Sequence, residues 1–97
     1  MAKKTKKYEL IAIMRNTEAA HFDRDREMLT GILKKNGVTV QKETDRGVRS
    51  LHAEIDHQMQ GHFLIITCEM DREAIAGMEH ELKINSDVLR YMLKRAA

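Results

Sequence analysis

The stretch His62-Phe63-Leu64-Ile65-Ile66-Thr67-Cys68 decides how this chain folds. Five of its seven residues are apolar, and Phe63, Ile65 and Ile66 have the aromatic or β-branched shapes that suit a pleated sheet. The run has the length of a strand and is too short for a helix. Apolar residues on both of its faces predict a central strand with both faces covered, so the face away from any helices needs a cover of its own.

Moving outward, Tyr8 to Met14 repeats the pattern. Tyr8, Leu10, Ala12 and Met14 fall on one face, with Ile11 and Ile13 beside Glu9 on the other. A polar connection, Arg15 to Ala19, leads to a helical period carried by Phe22, Leu29 and Leu33 and widened by Met28 and Ile32. Asp23, Asp25 and Glu27 toward its start and Lys34 and Lys35 at its end suit the helix dipole, and Asn36-Gly37 stops it. From Val38 the period changes to two, as expected of an edge strand. The chain turns polar from Lys42 to Arg46, Gly47 marks a bulge or bend, and extended structure resumes from Val48 to Ile55. Asp56 to Gly61 reads as a polar connection before the central strand.

Asp71 is an N-cap for a second helix lined by Ile75, Met78 and Leu82, in which Gly77 either weakens the interior or marks a close approach. After the break at Asn85-Ser86-Asp87, the last strand runs from Val88 to Arg95. It places Leu89, Tyr91 and Leu93 on one face and Val88, Arg90, Met92 and Lys94 on the other. The order strand, helix, strand, strand, helix, strand predicts an α+β, ferredoxin-like βαββαβ domain: a four-stranded antiparallel sheet with two helices on one face. Leu64, Ile66 and Cys68 then face the helices, and Ile11, Ile13, Phe63 and Ile65 form an apolar patch on the open face. Such a patch predicts a protein partner or self-association, unless neighbours such as Arg90 and Lys94 cover it.

Ninety-seven residues make one domain, residues 8–97, behind a basic N-terminal tail, residues 1–7. Taking Lys3, Lys4, Lys6 and Lys7 from the 17 basic residues leaves 13 against 15 acids, so the body is −2 while the whole chain is +2. A basic arm on a near-neutral body suits phosphate contact. The lone Cys68 makes no internal disulfide and reads as a small buried hydrophobe in a reducing compartment. With no apolar run of about 18 residues and no signal-like segment, the expected location is the cytoplasm.

Chemistry is not expected. His52, His57 and His62 recur every five residues, a spacing that shares no face of a strand or helix, so they read as solvated loop histidines and no metal or cofactor is expected. His21 with Asp23 and Asp25 reads as the start of a charged helix. A phosphate-cradling glycine loop, a nucleophile elbow and paired cysteines are all missing, so the chain is not read as an enzyme. RNA-recognition modules share the element order but stack bases on exposed aromatics of the first and third strands. Gly61-His62-Phe63 matches their signature poorly, and Phe and Tyr together number four.

Several short matches, taken in order, resemble the family of the sixth protein of the bacterial small ribosomal subunit. They are Tyr8-Glu9-Leu10, Gly37, Gly47-Val48-Arg49-Ser50-Leu51 with Ile55, Gly61-His62-Phe63-Leu64, Glu81-Leu82 and Asp87-Val88-Leu89-Arg90. The family's hairpin continues Leu-Ala-Tyr-Pro-Ile, whereas this chain has Leu51-His52-Ala53-Glu54-Ile55, without the tyrosine or the proline. The resemblance implies a structural protein of the small ribosomal subunit. Such a protein pairs with the eighteenth small-subunit protein and docks on the central domain of small-subunit ribosomal RNA. Candidate phosphate contacts are Arg46, Arg49 and Arg90 with Lys3, Lys4, Lys6 and Lys7; Arg49 matches a basic position of the family's hairpin. The candidate partner-protein interface is Ile11, Ile13, Phe63 and Ile65. The competing expectation is a ferredoxin-like ligand-sensing or regulatory module that dimerises through its open sheet.

Overall fold

The alternating periods of the sequence become six elements: β1 (Thr5–Met14), α1 (Ala19–Lys35), β2 (Thr39–Ile55), β3 (Gln58–Asp71), α2 (Arg72–Ile84) and β4 (Val88–Arg95). The structure is a computed structural model and describes residues 5–15, 17–55 and 57–96. The strands form one antiparallel sheet in the order β2-β3-β1-β4, so the two strands that are apolar on both faces occupy its centre.

The core lies on one face of that sheet. Leu10, Ala12 and Met14 from β1 and Leu64, Ile66, Cys68 and Met70 from β3 are buried. They share one cluster with Phe22, Leu29 and Leu33 of α1 and Met78 and Leu82 of α2. Register explains the match: Leu10 lies opposite Ile66 and Ala12 opposite Leu64, so their side chains leave the sheet on the same side.

Each helix ends through a local device. Asp71 accepts from the backbone N–H of Glu73 at 3.3 Å and so caps α2. Past the end of α1, Gly37 takes φ +79°, the left-handed turn that glycine accepts without strain. Gly77 marks a close approach, since a Cβ there would stand 2.7 Å from Asn36 Oδ1. The same junction is fastened by Glu81, which accepts from Lys35 Nζ at 2.7 Å and from Asn36 Nδ2 at 2.6 Å. These two hydrogen bonds hold the Glu81 carboxyl below its ordinary value, against a smaller opposing effect of burial. A carboxylate depressed on folding stabilises the protein above its unfolded pKa, and that contribution is lost as pH falls through the folded value. Thermal melts of the parent and of Glu81→Gln should therefore differ at neutral pH and converge as the pH falls below the ordinary glutamate range and through the depressed folded value. A constant offset across that range would contradict the assignment.

The structure corrects several sequence expectations. β1 begins at Thr5, with Lys6 opposite Met70 and Lys7 opposite Glu69, so these two lysines sit on the sheet. β3 begins at Gln58, so most of the expected connection before it is strand, while Asp56 lies outside the described residues. The polar run Lys42 to Arg46 continues β2, because an edge strand can point its charges into water. No acid occupies the first turn of α1, and Asp25 is buried, at 3% exposure. In β4 the register shifts where Val88 lies opposite Met14 and Arg90 opposite Ile13. That irregularity turns Val88 onto the core, away from the face it was expected to share with Arg90.

Candidate functional site

Two rows of side chains cross the open face of the sheet. One runs Thr44, Ile65, Ile11, Met92, and the next runs Gly47, Phe63, Ile13, Arg90. Ile11, Ile13, Phe63 and Ile65 therefore meet as expected, each half-buried, and Met92 extends the patch at 50% exposure. Sequence reasoning left Met92 out of the interface, although its alternation with Tyr91 and Leu93 places it there.

Beside the patch the chain closes a groove of about 520 Å³. Ile13, Phe63 and Met92 contribute its apolar surface, Arg49 and Arg90 its charge, and the hairpin segment Leu51 to Ile55 its remaining wall. Two glycines shape the region. Gly47, at φ +80° where the β2 register shifts, lies opposite Phe63 and puts no side chain over the ring. Gly61 lies opposite Arg49, and a Cβ there would run into Ile13 Cγ2. Apolar surface flanked by two guanidinium groups suits a partner that brings both apolar and anionic groups.

The candidate basic residues separate into two regions. Arg46, Arg49 and Arg90 sit near the hairpin end; Arg46 and Arg49 are exposed, and Arg49 Nε donates to the Arg46 carbonyl at 3.2 Å. Lys6 and Lys7 lie near the other end, where Lys7 faces Glu69, six residues along β3 from Phe63 or roughly 20 Å away. Lys94 and Arg95, opposite Glu9 and Tyr8, adjoin them. Lys3 and Lys4 lie outside the described residues.

The histidines part company with expectation at one position. His52 and His57 are exposed. His62 is only 7% exposed, stacks on Phe22 with ring centroids 3.5 Å apart, and lies 2.5 Å from Asp45 Oδ1 through Nε2. It continues the alternation of Leu64, Ile66 and Cys68, and that parity was the available signal. Burial pushes Asp45 up, but hydrogen bonds from His62 and the Gly47 N–H, with the charges of His62 and Arg26, outweigh it and leave the carboxyl below its ordinary value. Burial alone pushes the Cys68 thiol up to about 11, away from the range of a reactive thiolate. Among the described residues, no three His, Cys, Asp or Glu side chains converge as a metal site would need, and no helix is long and apolar enough to cross a membrane.

Comparison with known proteins agrees with this architecture. A protein of Rhodospirillum centenum named small ribosomal subunit protein bS6 is 38% identical over 86 residues, covering 88% of this chain and 53% of its own length. The protein of that name from Exiguobacterium is 33% identical over 88 residues, covering 90% of this chain and 93% of its own. The chain thus spans about half of the first relative and nearly all of the second. The crystal structure of 30S ribosomal protein S6 from Thermotoga maritima superposes with a TM-score of 0.85 over 96% of this chain and 89% of that one, at 19% identity, and so shares the fold. The family profile described as Ribosomal protein S6 matches residues 7–95. With a match over nearly its whole length, the chain belongs to the ribosomal protein S6 family, a family of structural components of the small ribosomal subunit and not of enzymes.

Proposed function

We propose that this chain, a structural protein of the small ribosomal subunit, works in the cytoplasm by joining small-subunit ribosomal RNA to the eighteenth small-subunit protein. The observation that carries the reading is the open-face groove, where Ile13, Phe63 and Met92 adjoin Arg49 and Arg90. The apolar rows through Ile11, Ile13, Phe63 and Ile65 receive the partner protein. Arg46, Arg49 and Arg90 meet phosphates of the RNA central domain, and Lys6 and Lys7 supply a second basic region at the far end of the sheet; Lys3 and Lys4, outside the described residues, add their charge to the RNA contact. Two separated basic regions on one sheet suit a backbone that crosses the domain, because phosphate contacts give affinity and register without reading sequence.

Arg49→Glu tests the RNA half of the proposal. The residue is exposed, so the melting temperature should move by no more than a few degrees. Affinity for a central-domain RNA transcript should fall about tenfold, and its salt dependence should weaken by about one counterion. Unchanged affinity, or a variant that no longer folds, would remove Arg49 from the RNA contact. A chain that dimerises through the open sheet and ignores both RNA and the eighteenth protein would instead favour a regulatory module.

A further inference from the structure

One carboxylate oxygen links the buried core to the bulge that carries two arginines. Asp45 Oδ1 accepts from the Gly47 N–H at 2.8 Å and stands 2.5 Å from His62 Nε2. Because an ionised carboxylate only accepts, Nε2 must carry a hydrogen. His62 is fixed from behind by its stack on Phe22 of α1 and sits opposite Met14 in the register of β1 and β3. Its Nδ1 is buried with no hydrogen-bond partner among the described residues. The β2 register shifts between Asp45 and Gly47, which makes Arg46 the extra residue of a bulge that ends when Val48 pairs with His62. The Arg46 carbonyl then holds Arg49 Nε.

This arrangement uses a costly residue at position 62. Every other core-facing residue of β3 from Leu64 to Met70 is apolar and no more than 1% exposed. Packing alone would favour an apolar side chain here, since a buried imidazole with one nitrogen unsatisfied costs free energy. What the imidazole adds is one directed donor, aimed at the oxygen that also holds the left-handed Gly47.

We propose that Asp45 and His62 are positioning residues for the arginine pair: the imidazole clamps Asp45 Oδ1, Asp45 fixes the Gly47 bulge, and the bulge sets the direction in which Arg46 and Arg49 leave the strand. This inference rests on the reading that those arginines meet RNA phosphate. The charge of Arg26 of α1 also acts on the Asp45 carboxylate, as a smaller contribution than that of His62.

Two substitutions in the full-length chain separate positioning from packing. His62→Phe keeps a ring against Phe22 and removes the donor, whereas His62→Gln keeps a donor near Nε2 and removes the ring. Positioning requires that His62→Phe melt near the parent yet bind the central-domain transcript as weakly as Arg49→Ala, with little further loss when the two are combined. His62→Gln should bind like the parent even if it melts lower. The opposite pattern, with His62→Phe binding normally and His62→Gln binding poorly, would reduce His62 to a packing residue and overturn the proposal. A readout free of RNA is hydrogen exchange at the Gly47 amide, which should accelerate about tenfold in His62→Phe, the scale of one net hydrogen bond. Should His62→Phe fail to fold, Asp45→Ala serves, because the Asp45 side chain is 53% exposed and stands outside the core cluster. If Arg49→Ala leaves RNA affinity unchanged, the RNA reading fails by itself. Gly47 exchange then still decides the clamp: acceleration supports it, and unchanged protection overturns it.

Discussion

Ile66→Ala lowers the stability of the domain by about 2–5 kcal/mol, the range for truncating a buried aliphatic whose surroundings collapse only in part. Ile66 is fully buried at the middle of β3, with Leu10 opposite on β1 and Glu43 opposite on β2. A domain of this size has roughly 5–15 kcal/mol of total stability, so the change removes a large share of it. At about 4–8 °C per kcal/mol, the midpoint should fall by at least about 8 °C in a thermal melt. Chemical denaturation supplies the free energy directly, and a loss below about 1 kcal/mol would mean that Ile66 does not face the helices. Ile65 is the internal comparison: half-buried on the other face, it should lose less on the same truncation.

The contrast between neighbours Ile65 and Ile66 is also where the sequence was most legible. Period-two alternation in Tyr8 to Met14 and in His62 to Cys68 assigns every side chain to a face once the strand is recognised, because a one-residue slip would bury the wrong set. Gly47 was legible for a different reason. A glycine among charged and β-branched residues of an edge strand marks a backbone need, and the left-handed φ and register shift supply it.

What could not be read depends on register and on bends that no local pattern carries. The three register shifts between β2 and β3 decide that Asp45 stands near His62, that Gly47 lies opposite Phe63 and that Leu51 to Ile55 walls the groove. Each shift moves the pairing by a residue or more, so the partners cannot be counted from a turn. The irregularity in β4 hid Val88 in the same way, since alternation counted back from Tyr91 places it on the wrong face. His62 is a different kind of miss. Its parity with Leu64 was available, but its polar character and its regular spacing from His52 and His57 drew it into the loop.

Phe63→Ala should weaken pairing with the eighteenth small-subunit protein by roughly 30-fold or more, the effect of losing an aromatic at the centre of an interface. Three features single out this residue within the proposed surface. It is the only aromatic in the two open-face rows, it is flanked by Ile13 across the strand, and the bare Gly47 on its other side leaves the ring open to a partner. The arginines beside the groove should matter less for pairing, because charges at a rim act more on association rate than on affinity. Phe63→Ala should leave a folded domain, since the ring is half-buried and stands outside the core cluster. The measurement is titration calorimetry against the purified partner, with sedimentation of the chain alone at the same concentrations. Unaltered affinity would move the interface off this face. If the variant's main effect were instead to dissolve a self-dimer, the open sheet would belong to a second copy of the chain.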